Sequence, residues 1–168
     1  MKTTFFLLVF LALGCQPKQG PVIDEQQLKR DLITLNKDKQ ASEADSLKSF
    51  VLHKGWVMEK TATGMYFEVL QSKHGEEITK GRFVSLFYKV YLLNGVLCYD
   101  NTLGHPIRFK VGEDHVETGL HQLMPLLHVG DEVRVVMPSH LAFGFTGDSK
   151  RIPGDSPLYY ELKVVSLQ

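Results

Sequence analysis

Hydrophobic and polar positions change their period twice along the 168-residue chain. The first stretch is an unbroken apolar run, Phe5 to Leu13, too short for the roughly 20 residues a helix needs to cross a bilayer. Lys2 precedes it and Gly14-Cys15 follows, which gives the charged start, apolar middle and small-residue end of an export signal. From residue 23 the spacing becomes helical. Ile23, Leu28, Leu32 and Leu35 among charged residues predict a helix over 24–36, with Asp24 and Glu25 complementing its dipole. Ser42 with Asp45 three residues on, then Leu47, Phe50 and Val51 and a stop at Gly55, predict a second. Such a helical pair over 23–55 has three open uses: packing on the domain after it, packing on itself, or offering a dimer or partner surface.

From about residue 62 the period is two. Val84, Leu86, Tyr88, Val90 and Leu92 share one face of a long strand, opposite Ser85 and Lys89. The same alternation runs through Glu132–Met137 and Leu158–Val164, and predicts an antiparallel sheet with one wet face. Thr118 to Met124 is the one short helical candidate between strands, with Leu120, Leu123 and Met124 on a side. A twisted antiparallel sheet wrapped on one short helix, preceded by the helical pair, is an α+β architecture with its main domain over 62–168.

Composition narrows the function. Nineteen basic residues balance nineteen acidic ones, which leaves no basic stripe for a phosphate backbone and argues against a nucleic-acid partner. The segment Leu11-Ala12-Leu13-Gly14-Cys15 resembles a bacterial lipobox, so residues 1–14 are expected to be a lipoprotein signal peptide, Cys15 the lipidated residue and 15–22 a Pro/Gly/Gln tether. The expected location is the cell envelope, lipid-anchored to a membrane. Gln16-Pro17-Lys18-Gln19 lacks an acidic cluster, which favours the periplasmic side. Cys98 is then the one remaining thiol, set in an apolar stretch as a small core residue. His115, His121 and His128 lack tight ligand spacing, Ser139-His140 lacks a nucleophile elbow, and no glycine-rich phosphate loop is present.

A series of motifs in fixed order carries more. It comprises Tyr88, Gly95 and Tyr99-Asp100; Pro106-Ile107-Arg108-Phe109-Lys110-Val111-Gly112; Val116-Glu117-Thr118-Gly119-Leu120; Val129-Gly130-Asp131-Glu132; Pro138 to Gly144; and Gly147, Ile152-Pro153 and Leu158 to Leu162. From about residue 80 to the end this resembles the FKBP-type peptidyl-prolyl cis-trans isomerases. The lipobox, the helical pair, Gly55-Trp56 and Thr63-Gly64-Met65-Tyr66 resemble the gliding-motility-associated lipoproteins of that type.

The resemblance implies an isomerase that assists folding of exported or envelope proteins and binds their proline-containing segments. It implies no metal or cofactor, because no bond is cleaved. It places Tyr88, Tyr99, Phe109, Val116, Leu120 and Tyr160 around a proline pocket, with Ile107 and Ile152 at its margin. The Glu117 backbone N–H is expected to bind the substrate carbonyl. Asp100 is expected close to the twisting carbonyl, ordering nearby aromatic rings by hydrogen bonds. Leu120 stands where the family commonly has Trp, Ile107 where Phe is frequent, and Phe143 where a Tyr supplies a donor; each departure removes area or a hydrogen bond. One extra residue between Gly95 and Tyr99 is expected to bulge the strand. The alternative implied by those losses is a catalytically weak chaperone or assembly factor, with a homodimer through the N-terminal helices compatible with either.

Overall fold

The computed structural model describes residues 24–168, in two units that divide after Asn36. The signal segment, Cys15 and the tether lie outside the described residues.

The first element, α1 (Glu25–Lys54), is one 30-residue helix where two were expected. The joining stretch Asn36–Ala41 holds neither Gly nor Pro, and its Lys, Gln and Ala propagate a helix already nucleated. Ser42 is therefore not a cap; it sits mid-helix, its carbonyl accepting the Ser46 hydroxyl at 3.0 Å. Asp24 is the cap, its Oδ1 accepting the Gln26 and Gln27 N–H groups at 2.9 and 3.3 Å. At the other end Gly55 adopts φ +67°, and the Gly55 and Trp56 N–H groups close back on the Leu52 and Val51 carbonyls at 3.0 and 3.2 Å. That is the Schellman termination a glycine permits.

Among the described residues seven strands form one wholly antiparallel sheet: β1 (Glu59–Lys60), β2 (Tyr66–Gln71), β3 (Phe83–Leu92), β4 (Leu97–Asp100), β5 (Ile107–Lys110), β6 (Glu132–Met137) and β7 (Leu158–Leu167). The order is β1-β2-β6-β7-β3-β4, with β5 paired to the first half of β3. The strands β4 and β5 thus share one edge of β3, and the loop between them opens beside Tyr88. A six-residue helix, α2 (Thr118–Leu123), runs into a 3-10 turn (Met124–Leu126) and buries Leu120, Leu123 and Met124. These meet Val84, Leu86, Val90, Phe109, Val133, Val135, Leu158, Tyr160 and Leu162 in the main core.

The opposite face of the sheet is not uniformly wet. Val136 and Tyr66 point there and are covered by Leu47 and Val51 of α1, with Phe50, Trp56 and Tyr159 at the rim. In β6 the residues Val135, Val136 and Met137 are consecutively buried, the signature of a strand covered on both sides. Trp56 lies 5.0 Å from Tyr159 and 5.6 Å from Phe50, while the Arg134 guanidinium sits 4.2 Å above its ring. In β7 strict alternation survives: Leu158, Tyr160, Leu162 and Val164 are buried, and Glu161 and Lys163 exposed.

Candidate active site

The site is built where β3 loses its two-sided pairing. The β4 ladder pairs Val90 with Tyr99 and Tyr91 with Leu97, leaving Cys98 as an extra residue in a bulge. The bulge turns Cys98 inward, where it is 1% exposed, and delivers Tyr99 to the cavity beside it. Asn101 then fastens the next loop to β3, its Oδ1 accepting the Tyr88 N–H at 2.6 Å and its own N–H donating to the Tyr88 carbonyl at 3.1 Å.

A cavity of about 360 Å³ opens here. Its walls include Tyr88, Tyr99, Tyr160, Ile107, Val116, Glu117, Leu120 and Phe143, all among the expected site residues, together with Leu86, Val90, Leu162, His115, Asp148 and Lys150, which are not. The loop before α2 is held by His121, whose Nδ1 accepts the Gly112 N–H at 2.8 Å while Nε2 lies 2.9 Å from the Asp114 carbonyl. That pairing assigns the proton to Nε2. The chain then enters α2 through Glu117, at φ −57° and ψ 134°, with no side chain capping the helix. Among the described residues the Glu117 N–H has no hydrogen-bond partner.

Two carboxylates organise the tyrosines. The buried Tyr160 hydroxyl donates to Glu117 Oε1 at 2.9 Å, and its pKa is pushed far up by burial and by that carboxylate. The Tyr99 hydroxyl donates to Asp148 Oδ2, which raises the phenol's pKa as well. Asp148 Oδ1 in turn accepts the Lys150, Arg151 and Ile152 N–H groups at 2.9, 2.9 and 2.8 Å. Burial alone would raise the Asp148 carboxyl, but the bonds from Tyr99 and these three amides outweigh it and hold its pKa at about 2, against the ordinary 3.8. The Tyr88 hydroxyl makes no hydrogen bond to the described residues, and burial raises its pKa.

The depressed Asp148 value has a sign. The folded pKa lies below the unfolded one, so the carboxylate contributes its full stability above pH 4 and loses it as pH falls from 4 toward 2. Thermal melts of the wild type and Asp148→Asn between pH 6 and 2 are expected to converge over that window, and a constant gap would show that the carboxylate's charge is not what holds the loop.

Three expected site residues stand elsewhere. Asp100 does not line the cavity or bond an aromatic ring. Alternation along β4 points it to the outer side, where Oδ1 accepts the Thr102 N–H and hydroxyl at 2.8 and 2.6 Å and Oδ2 lies 3.7 Å from Lys89 Nζ. Those Thr102 bonds keep its carboxyl below the usual range. The carboxylates that bond the cavity's tyrosines are Asp148, on Tyr99, and Glu117, on Tyr160. Phe109 and Ile152 are core residues behind the wall, 1% and 3% exposed, Phe109 standing edge-on to His121 with ring centres 5.7 Å apart. The signal for Asp148 is present in the sequence as Gly147-Asp148-Ser149, a turn in which Asp caps the amides after it.

Fold and site together define a small antiparallel-sheet domain with an apolar, tyrosine-walled cleft over a short helix. The family model for FKBP-type peptidyl-prolyl cis-trans isomerases matches residues 74–165, and the chain belongs to that family. Among its relatives is the bovine peptidyl-prolyl cis-trans isomerase FKBP11, 30% identical over 92 residues, which are 55% of this chain and 45% of the relative. FK506-binding protein 2 of Yarrowia lipolytica is 30% identical over 112 residues, 66% of this chain and 77% of its own. Among solved structures, FkpA from Escherichia coli superposes with a TM-score of 0.66 at 21% identity, over 88% of this chain and 74% of that one, which is a likeness of fold. The chain spans less than half the length of the bovine relative.

Proposed function

We propose that the chain is a peptidyl-prolyl cis-trans isomerase whose substrates are proline-containing segments of unfolded or exported proteins. The observation that carries the reading is the cleft itself. It joins an apolar floor and walls, Leu120, Val116, Ile107, Phe143 and Tyr160, to a backbone donor at Glu117 that has no partner among the described residues. Rotation about an X-Pro bond breaks no bond; it only needs amide resonance interrupted, against a barrier of about 18–20 kcal/mol. An apolar slot that grips the ring and excludes water destabilises the planar, well-hydrated amide. A donor to the preceding carbonyl holds that group while the ring side turns. The Tyr88 hydroxyl, unbonded to the described residues, is a second donor in the same wall. An acid–base pair has no part in this scheme, so the two carboxylates serve to lock tyrosine orientation. Asp148, through its bond to the Tyr99 hydroxyl, supplies the kind of aromatic ordering that the family resemblance implies for Asp100.

The full chain is expected to accelerate cis-to-trans conversion of a short X-Pro peptide, with Asp100→Ala close to wild type and Tyr88→Phe and Asp148→Ala slower. A folded wild type without turnover would favour the second reading, a catalytically weak chaperone or assembly factor. What favours that reading is the floor at Leu120, where an aliphatic side chain replaces a flat aromatic platform. Leu120→Trp tests the floor directly. Because Leu120 is 2% exposed and packed in the core as well as lining the cavity, the larger ring is expected to tighten macrolide inhibitor binding about tenfold at an overpacking cost of roughly 1–3 kcal/mol in stability. Inhibitor affinity unchanged in a folded variant would show that the floor does not set it.

We also propose attachment to the membrane through lipid on Cys15 and a periplasm-facing role in the cell envelope, of the kind carried by gliding-motility-associated lipoproteins. Support comes from the lipobox-like Leu11–Cys15 and the tether after it. Among the described residues no helix is long and apolar enough to cross a membrane. Leu28, Leu32 and Leu35, 47%, 51% and 64% exposed on α1, support a homodimer through the N-terminal helix.

A further inference from the structure

Lys39, Glu43, Leu47 and Val51 recur every four residues along α1 and so form one stripe. Its second half is apolar and buried on the sheet. Its first half is charged and reaches the loop from Ser139 to Asp155, the loop that supplies Phe143 and Asp148 to the cavity. Glu43 Oε1 accepts the Ser139 N–H at 2.7 Å across 96 residues of sequence. Ser139 opens a 3-10 turn (Ser139–Leu141) whose preceding residue, Pro138, offers no side-chain cap, and it is only 6% exposed. Glu43 thus caps from another element a donor that burial would leave costly. One turn earlier Lys39 Nζ lies 2.5 Å from Asp155 Oδ2 and 5.7 Å from the centre of the Phe145 ring. Asp155 holds φ +57°, and its N–H donates to the Gly144 carbonyl at 2.8 Å, the residue next to Phe143.

We propose that Glu43 and Lys39 are positioning residues for the cleft: α1 holds the Ser139–Asp155 loop at both ends and so sets where Phe143 and Asp148 stand. This rests on the prolyl-isomerase reading for its consequence in turnover, not for its geometry. Neither side chain lines the cavity. Their effect passes through the loop, and it should fall on substrate binding more than on the rotation step. A consequence is that anything binding α1 near residues 39–43 reaches the cleft.

The test compares the full-length wild type with Glu43→Ala, Glu43→Gln and Lys39→Ala, in prolyl-peptide kinetics and in amide hydrogen exchange. Glu43→Ala is expected to raise KM about fivefold or more with kcat within about twofold, and Glu43→Gln, whose amide oxygen still accepts the Ser139 N–H, to restore KM to within about twofold. Exchange at the Ile152 and Asp155 amides is expected to quicken about tenfold in Glu43→Ala and Lys39→Ala, while core amides such as Val135 keep their protection. An unchanged KM in a folded Glu43→Ala, equal loss in Glu43→Gln, or faster exchange spread evenly over the core would overturn the proposal. Lys39→Ala removes only a half-exposed ion pair, so it reports even if Glu43→Ala fails to fold. A wild type that does not turn over defeats the isomerase reading, and the exchange data then decide the clamp alone: unaltered loop protection rejects it.

Discussion

Gly147→Ala is expected to lower the melting temperature by roughly 10 °C and to remove most prolyl-peptide turnover, on the basis of about 3 kcal/mol of strain and clash. Gly147 sits at φ +67° and ψ −163°, a region open in practice only to glycine. A Cβ built there would also meet the Ile152 carbonyl oxygen at 2.2 Å and the Pro153 carbonyl carbon at 2.7 Å. Both are backbone atoms that no rotamer change can move. Relief requires the loop to open, and the loop's geometry is what lets Asp148 take the Ile152 N–H at 2.8 Å and the Tyr99 hydroxyl together. Gly144→Ala is the internal control. It too has positive φ, +60°, but its Cβ would meet nothing within 4 Å, so it should cost only about 1–2 kcal/mol and leave turnover largely intact. Thermal melts and peptide kinetics on both variants check this; equal behaviour of the two would mean that backbone strain alone, and not the clash at Ile152, limits position 147.

The second large effect is expected from Glu117→Pro. At φ −57° the Glu117 backbone already has the angle proline imposes, so the substitution removes the N–H with little change of path into α2. It also removes the carboxylate that accepts the Tyr160 hydroxyl, and Glu117→Ala removes only that. The difference between the two variants therefore isolates the backbone donor. If the donor binds the substrate carbonyl, Glu117→Pro should lose about tenfold more kcat/KM than Glu117→Ala, the worth of one hydrogen bond of about 1.4 kcal/mol in the transition state. Equal kinetics for the pair, with both proteins folded, would remove the Glu117 N–H from the mechanism. Tyr160→Phe complements them: it leaves the donor and the carboxylate but frees Glu117, and should cost stability before activity because Tyr160 is 1% exposed and its hydroxyl donates to Glu117.

Much of this is legible in residues whose neighbours in sequence are also their neighbours in space. The two-residue period of β3 and β7 announces strands because alternate side chains must go to opposite faces, and burial of Leu158, Tyr160 and Leu162 against exposed Glu161 and Lys163 comes from that alone. The extra residue before Tyr99 becomes a bulge at Cys98, where the β3–β4 register shifts between the Val90–Tyr99 and Tyr91–Leu97 pairs. The short helix after Glu117 stands where Leu120, Leu123 and Met124 require it. Nine of the cavity's wall residues belong to the ordered motifs.

The rest depends on contacts between distant segments. The sequence of α1 reads as two helices because Ser42-Glu43-Ala44-Asp45 imitates a capping signal, and only an uninterrupted ladder of helical bonds decides between start and continuation. Its partner is undetermined along the chain because a stripe of Leu47 and Val51 states that something must cover it, without naming Tyr66 and Val136. The side chain of Asp100 lies on the outer side of β4, against Thr102 and Lys89, for the same kind of reason. Position beside Tyr99 cannot say which face a carboxylate takes after a bulge, and the tyrosine's true acceptor, Asp148, arrives from 49 residues away. Period, turns and family are thus properties of local order, written in the residues themselves. Which carboxylate meets which tyrosine, and that α1 grips the loop of the cleft, is settled only in three dimensions, because hydrogen bonds and ion pairs depend on ångström-scale approach between segments whose separation along the chain carries no distance in space.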